Sequence, residues 1–171
     1  MKTNFFYNLG KNKLFPIYRS LTGRGNAKTL EIIKKNIGSL KILKFSSGSK
    51  VFDWQVPSEW NVKDACLIDK YNKKIIDFKR NNLHLVGYSM PIEKKLRKNQ
   101  ILKHLHSLPN QPNAIPYVTS YYKKYWGFCV TEKQKKIIKT KYKKNDKFKV
   151  KINTVFNKRG KMLVGEYLLK G

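Results

Sequence analysis

The chain has 171 residues, 40% of them apolar, and a formal net charge of +28 at pH 7. Its length and apolar content suit one domain, or a domain with a modest insertion, and argue against a disordered segment. Only five of its 38 basic residues are arginines, and lysine serves equally well as solvated surface. We therefore expect non-specific adhesion to polyanions but no specific recognition of nucleic acid.

The first fifty residues predict helices followed by one strand. Within residues 4–18 the loosely helical apolar spacing predicts a short helix followed by an irregular stretch. A clearer amphipathic helix is predicted over 27–37, with Asn26 as its N-cap and Gly38 ending it in a left-handed turn. Alternating apolar residues over 40–45 then indicate a strand.

From residue 51 the pattern changes to short apolar runs separated by polar turns, which indicates a small antiparallel β unit. The predicted strands cover residues 51–56, 64–68, 74–78 and 83–88. A helix is predicted next, over 93–104. A loop with three prolines then leads into a predicted strand over 125–130.

The last third predicts a helix and a hairpin. Thr131 and Gln134 have the spacing of a capping box, so a helix is predicted over 132–140. Lysines alternate with apolar residues over 147–152, which is the period of a strand with one wet face. The turn that follows is predicted to pair this strand with a second one over 162–168.

Two observations bear on the compartment. Cys66 and Cys129 are far apart in sequence and suggest no disulfide framework, so we expect both to be buried thiols in a reducing environment. No run of eighteen apolar residues occurs, and Asn8, Gly10 and Lys11 interrupt the apolar start. We therefore expect a cytoplasmic protein with neither a membrane span nor a signal peptide.

The chain has no recognisable catalytic or metal-binding motif: GxSxG, P-loop and HExxH patterns are all missing. No spacing among the carboxylates singles out an acid–base pair. His104 and His106 are the first metal candidates, but residues two apart on a helix face opposite ways and neither cysteine belongs to a CxxC pair. We predict no catalytic residue and no metal ligand, and place both histidines near a groove.

Aromatic residues are dense enough to form a stacking platform for sugar rings or bases. They are Trp54, Trp60, Trp126, Tyr117, Tyr121, Tyr122 and Tyr125. Burial in the core is the commoner fate of tryptophan, and we expect it for these. Tyr121 and Tyr122 are adjacent and cannot both point inward on a strand, so one of them is predicted to face a groove.

Four segments carry a resemblance that extends along most of the chain. They are LFPIYRSLTGRG (14–25), VFDWQVPSEWNV (51–62), NNLHLVGYS (81–89) and HLHSLPNQPNAIPYVTSYYKKYWGFC (104–129). In this order and spacing they resemble the amino-terminal part of a bacterial aminopeptidase-like family. In that family a zinc exopeptidase fold carries a small inserted domain, a winged helix usually follows, and members are often associated with surface-polysaccharide biosynthesis.

The resemblance implies an α/β fold: an incomplete zinc-exopeptidase-like (phosphorylase/hydrolase-like) mixed sheet with an inserted small antiparallel β domain. Residues 1–50 would form the N-terminal helices and first strand of the peptidase-like domain. Residues 51–125 would form the inserted β domain and the proline-rich loop. Residues 126–171 would return to the peptidase-like domain and end before the metal site.

The resemblance also implies a zinc-dependent hydrolase that acts on a peptide or amide substrate. Only the full-length protein would bind the zinc. The zinc ligands would follow the strand that matches GEYLLKG (165–171), so this chain would be an amino-terminal fragment or a truncated reading frame. Alone it would be inactive and bind no zinc, and its partner would be the missing carboxy-terminal half of the catalytic domain. No membrane partner is expected, and a homo-oligomer is left open.

The residues that match the family's motifs would contact the substrate groove at most. With the two histidines added, the groove candidates are Arg19, Ser20, Thr22, His104, His106, Tyr117, Tyr121, Tyr122 and Trp126. Relatives often have an acidic residue where Arg24 stands and an arginine where Tyr125 stands, so no ion pair is expected from those two positions.

A function of another class remains open: a lysine-rich, non-catalytic module that binds a polyanionic glycan or nucleic acid through charge and aromatic stacking. Steep loss of binding with added salt, and sensitivity to substitution of Tyr121 or Trp126, would favour such a module. Hydrolysis of peptide bonds by the longer protein, abolished by a chelator, would favour the hydrolase.

Overall fold

The computed structural model describes residues 2–169 of the chain. The α-helices are α1 (Lys2–Asn8), α2 (Arg24–Asn36), α3 (Lys98–Leu102) and α4 (Glu132–Lys141). The strands are β1 (Lys41–Ser46), β2 (Lys50–Val51), β3 (Trp54–Gln55), β4 (Glu59–Ile68), β5 (Lys74–Asp77), β6 (Ile92–Arg97), β7 (Leu105–His106), β8 (Phe128–Cys129), β9 (Lys147–Asn157) and β10 (Lys161–Glu166). A π-helical segment (Leu9–Leu14) follows α1, and a 3₁₀ turn (Asn82–His84) follows β5.

The chain forms two compact units. The first unit contains the residues up to Asn61 and those from Phe156 onward, and the second is Val62–Val155. The predicted inserted domain, 51–125, has different limits from this second unit. A mixed α/β chain with several small sheets is confirmed, whereas the zinc-exopeptidase-like sheet and the three predicted domain limits stay predictions.

In the first unit β1 pairs antiparallel with β10 over their whole lengths, from Lys41 opposite Glu166 to Ser46 opposite Lys161. Helix α2 packs on this pair, and Gly165 of β10 permits the approach because a Cβ there would lie 2.9 Å from Leu30. The Asn26 side chain donates to the backbone oxygen of Leu163 at 2.9 Å. The helix and the ribbon are thus joined by packing and by a hydrogen bond.

The predicted caps of α2 are wrong. The helix begins at Arg24 with Gly23 as its N-cap, and Asn26 lies within the first turn, where its side chain donates to backbone oxygens. At its other end α2 stops at Asn36, with Ile37 rather than a left-handed Gly38 as the C-cap. The helix itself, predicted over 27–37, is confirmed with an earlier start.

The second unit is built on a four-stranded sheet in the order β5, β4, β9, β6. Strand β9 has the predicted alternation: Phe148, Val150 and Ile152 are buried and the lysines between them face outward. Ile101 of α3 and Ile138 of α4 are also buried, so both short helices contribute apolar residues to the core.

Tyr142, at the end of α4, joins the helix to this core. Its ring packs edge-on against Phe148 at 4.9 Å between centroids, and its hydroxyl donates to Asp69 Oδ2 at 2.8 Å. Burial, and then the bond to the carboxylate, raises the pKa of Tyr142 to about 12. Asp69 also accepts from the backbone N–H groups of Tyr71 and Lys73, so this buried carboxylate organises the β4–β5 turn.

Helix α4 confirms the capping box: Thr131 Oγ1 accepts from the N–H of Gln134 at 3.0 Å, and the Gln134 side chain accepts from the N–H of Thr131 at 2.9 Å. The predicted carboxy-terminal hairpin is wrong. β10 pairs with β1, whereas β9 lies between β4 and β6. A turn connects β9 to β10 in sequence, but pairing depends on strands distant along the chain.

Three other predicted elements differ from the structure. Residues 51–56 form a tight β2–β3 hairpin because Phe52 has a φ of 54° that reverses the chain. Residues 83–88 form the end of the 3₁₀ turn and an irregular stretch, in which the φ of Tyr88, 61°, lies outside the β region. The first half of the predicted helix 93–104 is strand β6, because its apolar Leu96 pairs with Phe148 of β9.

Cys66 and Cys129 are free and buried, as expected. Burial raises the pKa of Cys129 to about 11, which keeps this thiol protonated and unreactive at neutral pH. Within residues 2–169, none of the helices has both the length and the apolar character that crossing a bilayer requires.

Gly23 should be sensitive to substitution. It has a φ of 90° and a ψ of −179°, and a Cβ there would lie 2.2 Å from the backbone oxygen of Trp60. Gly23→Ala is expected to lower the free energy of unfolding by about 2–4 kcal/mol, measured by urea denaturation. Gly38→Ala is the control, because no atom lies within 4 Å of its added Cβ; equal losses from both substitutions would contradict this account.

Candidate functional site

Residues 104–129 of the second unit, which we call the aromatic segment, are joined to each other at their two ends. β7 pairs parallel with β8, with Leu105 opposite Phe128 and His106 opposite Cys129. The N–H of Phe128 donates to the oxygen of His104 at 2.8 Å. Residues 107–127 must therefore leave and return at the same place, which brings both histidines beside Tyr125 and Trp126. We call His104, His106, Tyr125 and Trp126 the aromatic site.

His104 is fixed by a stack and a hydrogen bond to the same residue. Its ring lies 3.7 Å from the Trp126 ring, centroid to centroid, with 9° between the planes. Its Nδ1 lies 2.8 Å from the backbone oxygen of Trp126. A carbonyl oxygen can only accept, so Nδ1 of His104 is the donor in this bond. Tyr125 stacks more loosely on His104, at 5.3 Å and 27°.

His106 and Tyr125 form a neutral pair. His106 Nε2 lies 2.8 Å from the Tyr125 hydroxyl oxygen. Burial, then the positive charge of Lys135 and the proximity of His104, lower the pKa of His106 below its usual 6.5. Burial likewise raises the pKa of Tyr125. At neutral pH the site thus presents an uncharged imidazole and an uncharged phenol, which can form hydrogen bonds but carry no net charge.

The three groove tyrosines lie in the same segment but are exposed to different extents. Tyr121 is half-buried and packs edge-on against Tyr88 at 4.9 Å, and its hydroxyl lies 3.4 Å from that of Tyr117. Tyr117 and Tyr122 are 57% and 69% exposed. Of the two adjacent tyrosines Tyr122 is the more exposed, and both lie in a turn and not on a strand. That one of them faces a groove stays a prediction.

A strained residue supports this tyrosine group. Tyr88 is buried with a φ of 61°, a conformation that is costly for a bulky side chain. On either side of it, Gly87 forms a parallel bridge to Thr119, and Ser89 Oγ donates to Val86 and accepts from the N–H of Gly127. The surrounding hydrogen bonds hold the strained backbone in place, and Tyr121 packs directly on it.

Arg19, Ser20 and Thr22 belong to the first unit. The Arg19 guanidinium donates to the backbone oxygen of Leu14. Thr22 is buried; its hydroxyl accepts from the N–H of Trp60 at 3.0 Å and reaches the oxygen of Ser58 at 3.4 Å. These bonds give both residues roles in holding the local backbone. The Ser20 hydroxyl is buried without a hydrogen-bond partner among the described residues.

Two residues of the second unit have roles that the sequence did not indicate. His84 is buried, and its Nδ1 lies 2.8 Å from the backbone oxygen of Cys129. Ser89 bonds both the Val86 and the Gly127 backbones, and its own backbone oxygen accepts from Thr154 at 2.8 Å. Both lie in the NNLHLVGYS segment, one of the four that carry the family resemblance; the sequence predicts a strand over residues 83–88 and gives no role to either side chain.

The donor set of the described residues does not fit a metal centre. No group of three or more histidine, cysteine, aspartate or glutamate side chains within residues 2–169 could hold a metal ion. The Nδ1 atoms of His84 and His104 contact backbone oxygens, and His106 Nε2 contacts Tyr125. The arrangement can stack on a flat ligand and exchange hydrogen bonds with it.

The pKa of His106 should respond to Lys135. Lys135→Gln removes a positive charge that disfavours the imidazolium, so the pKa of His106 should rise. It should stay below the usual 6.5 because the burial of the ring is unchanged. An NMR titration of His106 measures the change, with Lys136→Gln as control. An equal shift of the His106 pKa in the control would contradict the effect assigned to Lys135.

Stability should also depend on the protonation of His106. Because folding lowers the pKa of His106, the free energy of unfolding should decline as the pH falls below about 6.5, until the folded ring is protonated.

Comparison with known proteins identifies the family. A model described as "Domain of unknown function (DUF2172)" matches residues 59–155. A protein of Clostridium acetobutylicum named "Putative polysaccharide biosynthesis protein with aminopeptidase-like domain" is 44% identical over 167 residues, which are 96% of this chain and 36% of that relative. A crystal structure of a "putative peptidase" from the same organism has a TM-score of 0.86 and 42% identity, and covers 97% of this chain and 37% of the neighbour.

The chain therefore spans little more than a third of the length of these two relatives. Their names confirm the resemblance to an aminopeptidase-like family that the sequence carries. The family model covers more than half of the chain, including strands β4 to β6 and almost all of β9. The chain belongs to the family of domains described as DUF2172.

Proposed function

We propose that this chain is part of a zinc-dependent aminopeptidase-like hydrolase that acts in surface-polysaccharide biosynthesis. The observation that carries the proposal is the 44% identity to a protein whose name joins polysaccharide biosynthesis to an aminopeptidase-like domain. The structural neighbour, described as a putative peptidase, supports the same kind of chemistry. Both relatives are much longer than this chain, so the activity is proposed for a longer protein.

Zinc in such a protein would polarise the scissile carbonyl of a peptide or amide and lower the pKa of bound water. The residues described in this chain offer no suitable ligand set, so no catalytic step is assigned to them. We place the zinc ligands in the part of the relatives that this chain does not match. Cleavage would then require residues from that part.

Within this proposal the aromatic segment binds substrate. Its exposed rings, Tyr117 and Tyr122, can stack on the flat face of a sugar or an apolar side chain. The neutral pair of His106 and Tyr125 can exchange hydrogen bonds without imposing a charge. The packing of Tyr121 on the buried Tyr88 limits the motion of the group, which reduces the ordering cost of binding.

A chimaera tests the hydrolase proposal. In it, this chain replaces the matched 36% of the Clostridium acetobutylicum relative. We expect the chimaera to hydrolyse the aminoacyl-anilide that the relative itself hydrolyses best, and a chelator to abolish the reaction. This chain with added zinc should give no turnover. Turnover by the isolated chain, or a folded but inactive chimaera beside an active relative, would contradict the proposal.

Tyr122→Ala in the same chimaera tests the binding role. We expect KM to rise about fivefold with kcat unchanged, the effect of losing one aromatic contact of about 1 kcal/mol. Tyr71→Ala is the matched control, because Tyr71 is 68% exposed and lies in the β4–β5 turn, outside the aromatic segment. A drop in kcat, or the same rise in KM from the control, would argue against substrate contact by Tyr122.

A further inference from the structure

The β6–β9 strand pair carries like charges directly opposite each other. Lys95 of β6 faces Lys149 of β9, and Arg97 faces Lys147. Opposed like charges destabilise an antiparallel pair. The solvent-exposed face of a strand tolerates almost any polar residue. Folding alone therefore does not require cations at the four positions of these two opposed pairs.

One carboxylate offsets part of this charge. Glu93 lies opposite Lys151 in the register, and its Oε1 is 2.8 Å from the Nζ of Lys149. The outward side chains of the strand pair are Glu93, Lys95, Arg97, Lys147, Lys149 and Lys151. We call them the cationic face; it has five positive groups and one negative group.

The cationic face is accessible and regular. Five of its six residues are exposed and Lys151 is half-buried, while the opposite side of β9 is buried in the core. Side chains on one face of a strand repeat about every 6.6–6.8 Å, and adjacent strands lie about 4.8 Å apart. The result is two adjacent rows of mostly cationic side chains on an exposed sheet face, which can engage successive acidic groups of an extended polymer.

The chemistry of the face distinguishes between polyanions. Proteins that bind single-stranded nucleic acid combine cations with aromatic side chains on which bases stack, and the cationic face has none among its six residues. Duplex DNA is read by a helix or a two-stranded ribbon inserted in a groove, whereas this face is one side of a four-stranded sheet. A polymer recognised by repeated acidic groups alone fits better.

We propose that the cationic face binds an acidic polysaccharide. Its acidic groups would lie between the opposed cations and relieve their repulsion, so binding would remove a cost that the free protein bears. The name of the Clostridium acetobutylicum relative, which refers to polysaccharide biosynthesis, is consistent with a glycan ligand. The inference does not depend on the hydrolase activity, because all six residues lie in the chain itself.

The test uses this chain and a fluorescent oligogalacturonate as the probe. Lys95→Gln with Lys147→Gln removes one cation from each opposed pair and leaves the Glu93–Lys149 ion pair intact. Lys133→Gln with Lys136→Gln on α4 is the matched control, with the same loss of net charge at exposed positions. We expect the first double variant to bind about tenfold more weakly at low salt, and its salt dependence to be shallower by about two counterions.

The same variant should be more stable, with Tm higher by about 1–4 °C, because two repulsive pairs are relieved. Weaker binding together with higher stability supports the proposal. Equal weakening by the control pair, no binding of the probe by the unsubstituted chain at low salt, or a fall in Tm would each overturn it. Tighter binding of oligothymidylate or of anionic lipid vesicles than of the glycan would also overturn it.

Discussion

The alternation of side chains along β9 is the constraint on which the second unit depends. Successive residues of a strand point to opposite faces, so burial of Phe148, Val150 and Ile152 sends Lys147, Lys149 and Lys151 outward. Because β9 lies between β4 and β6, a slip of one residue would bury lysines and expose the core. The hydrophobic effect on one face thereby fixes the charge arrangement on the other.

The aromatic site depends on a different feature: two short strands, β7 and β8, pair with each other and hold the ends of a long irregular segment together. β7 and β8 contribute only two residues each, but the stack of His104 on Trp126 and its bond to the Trp126 oxygen reinforce the junction. The segment between them can therefore expose Tyr117 and Tyr122 while its ends stay fixed. Exposed rings on a constrained backbone are suited to binding rather than to proton transfer.

If both proposals hold, these two surfaces would have different roles. The aromatic segment offers neutral, hydrogen-bonding rings, and the cationic face offers charge without rings. A longer hydrolase working on polysaccharide precursors could use the first for a local contact with the substrate and the second to retain an acidic polymer. The chemistry of bond cleavage would reside in the portion of the relatives beyond the matched third.

The sequence by itself determined the elements whose signals are local. The capping box of α4, the amphipathic helix α2 and the period of two in β9 were all predictable, because each depends on residues a few positions apart. Its motifs also indicated the family, and the histidines and tyrosines of 104–126 as candidate binding residues. The mutual geometry of those residues was not predictable, because the stack and the 2.8 Å contact join residues about twenty positions apart.

Only the tertiary structure decided which strands pair. β10 leaves β9 to join β1, more than a hundred residues away in sequence, since α2 and β1 provide the apolar surface on which β10 packs. Two predicted strands became a hairpin and an irregular stretch because Phe52 and Tyr88 adopt positive φ angles. At Tyr88, burial and packing against Tyr121 outweigh the local preference for extended backbone. Lys95 of β6 lies opposite Lys149 of β9 because of the register between the two strands. Neither strand's sequence alone determines that register.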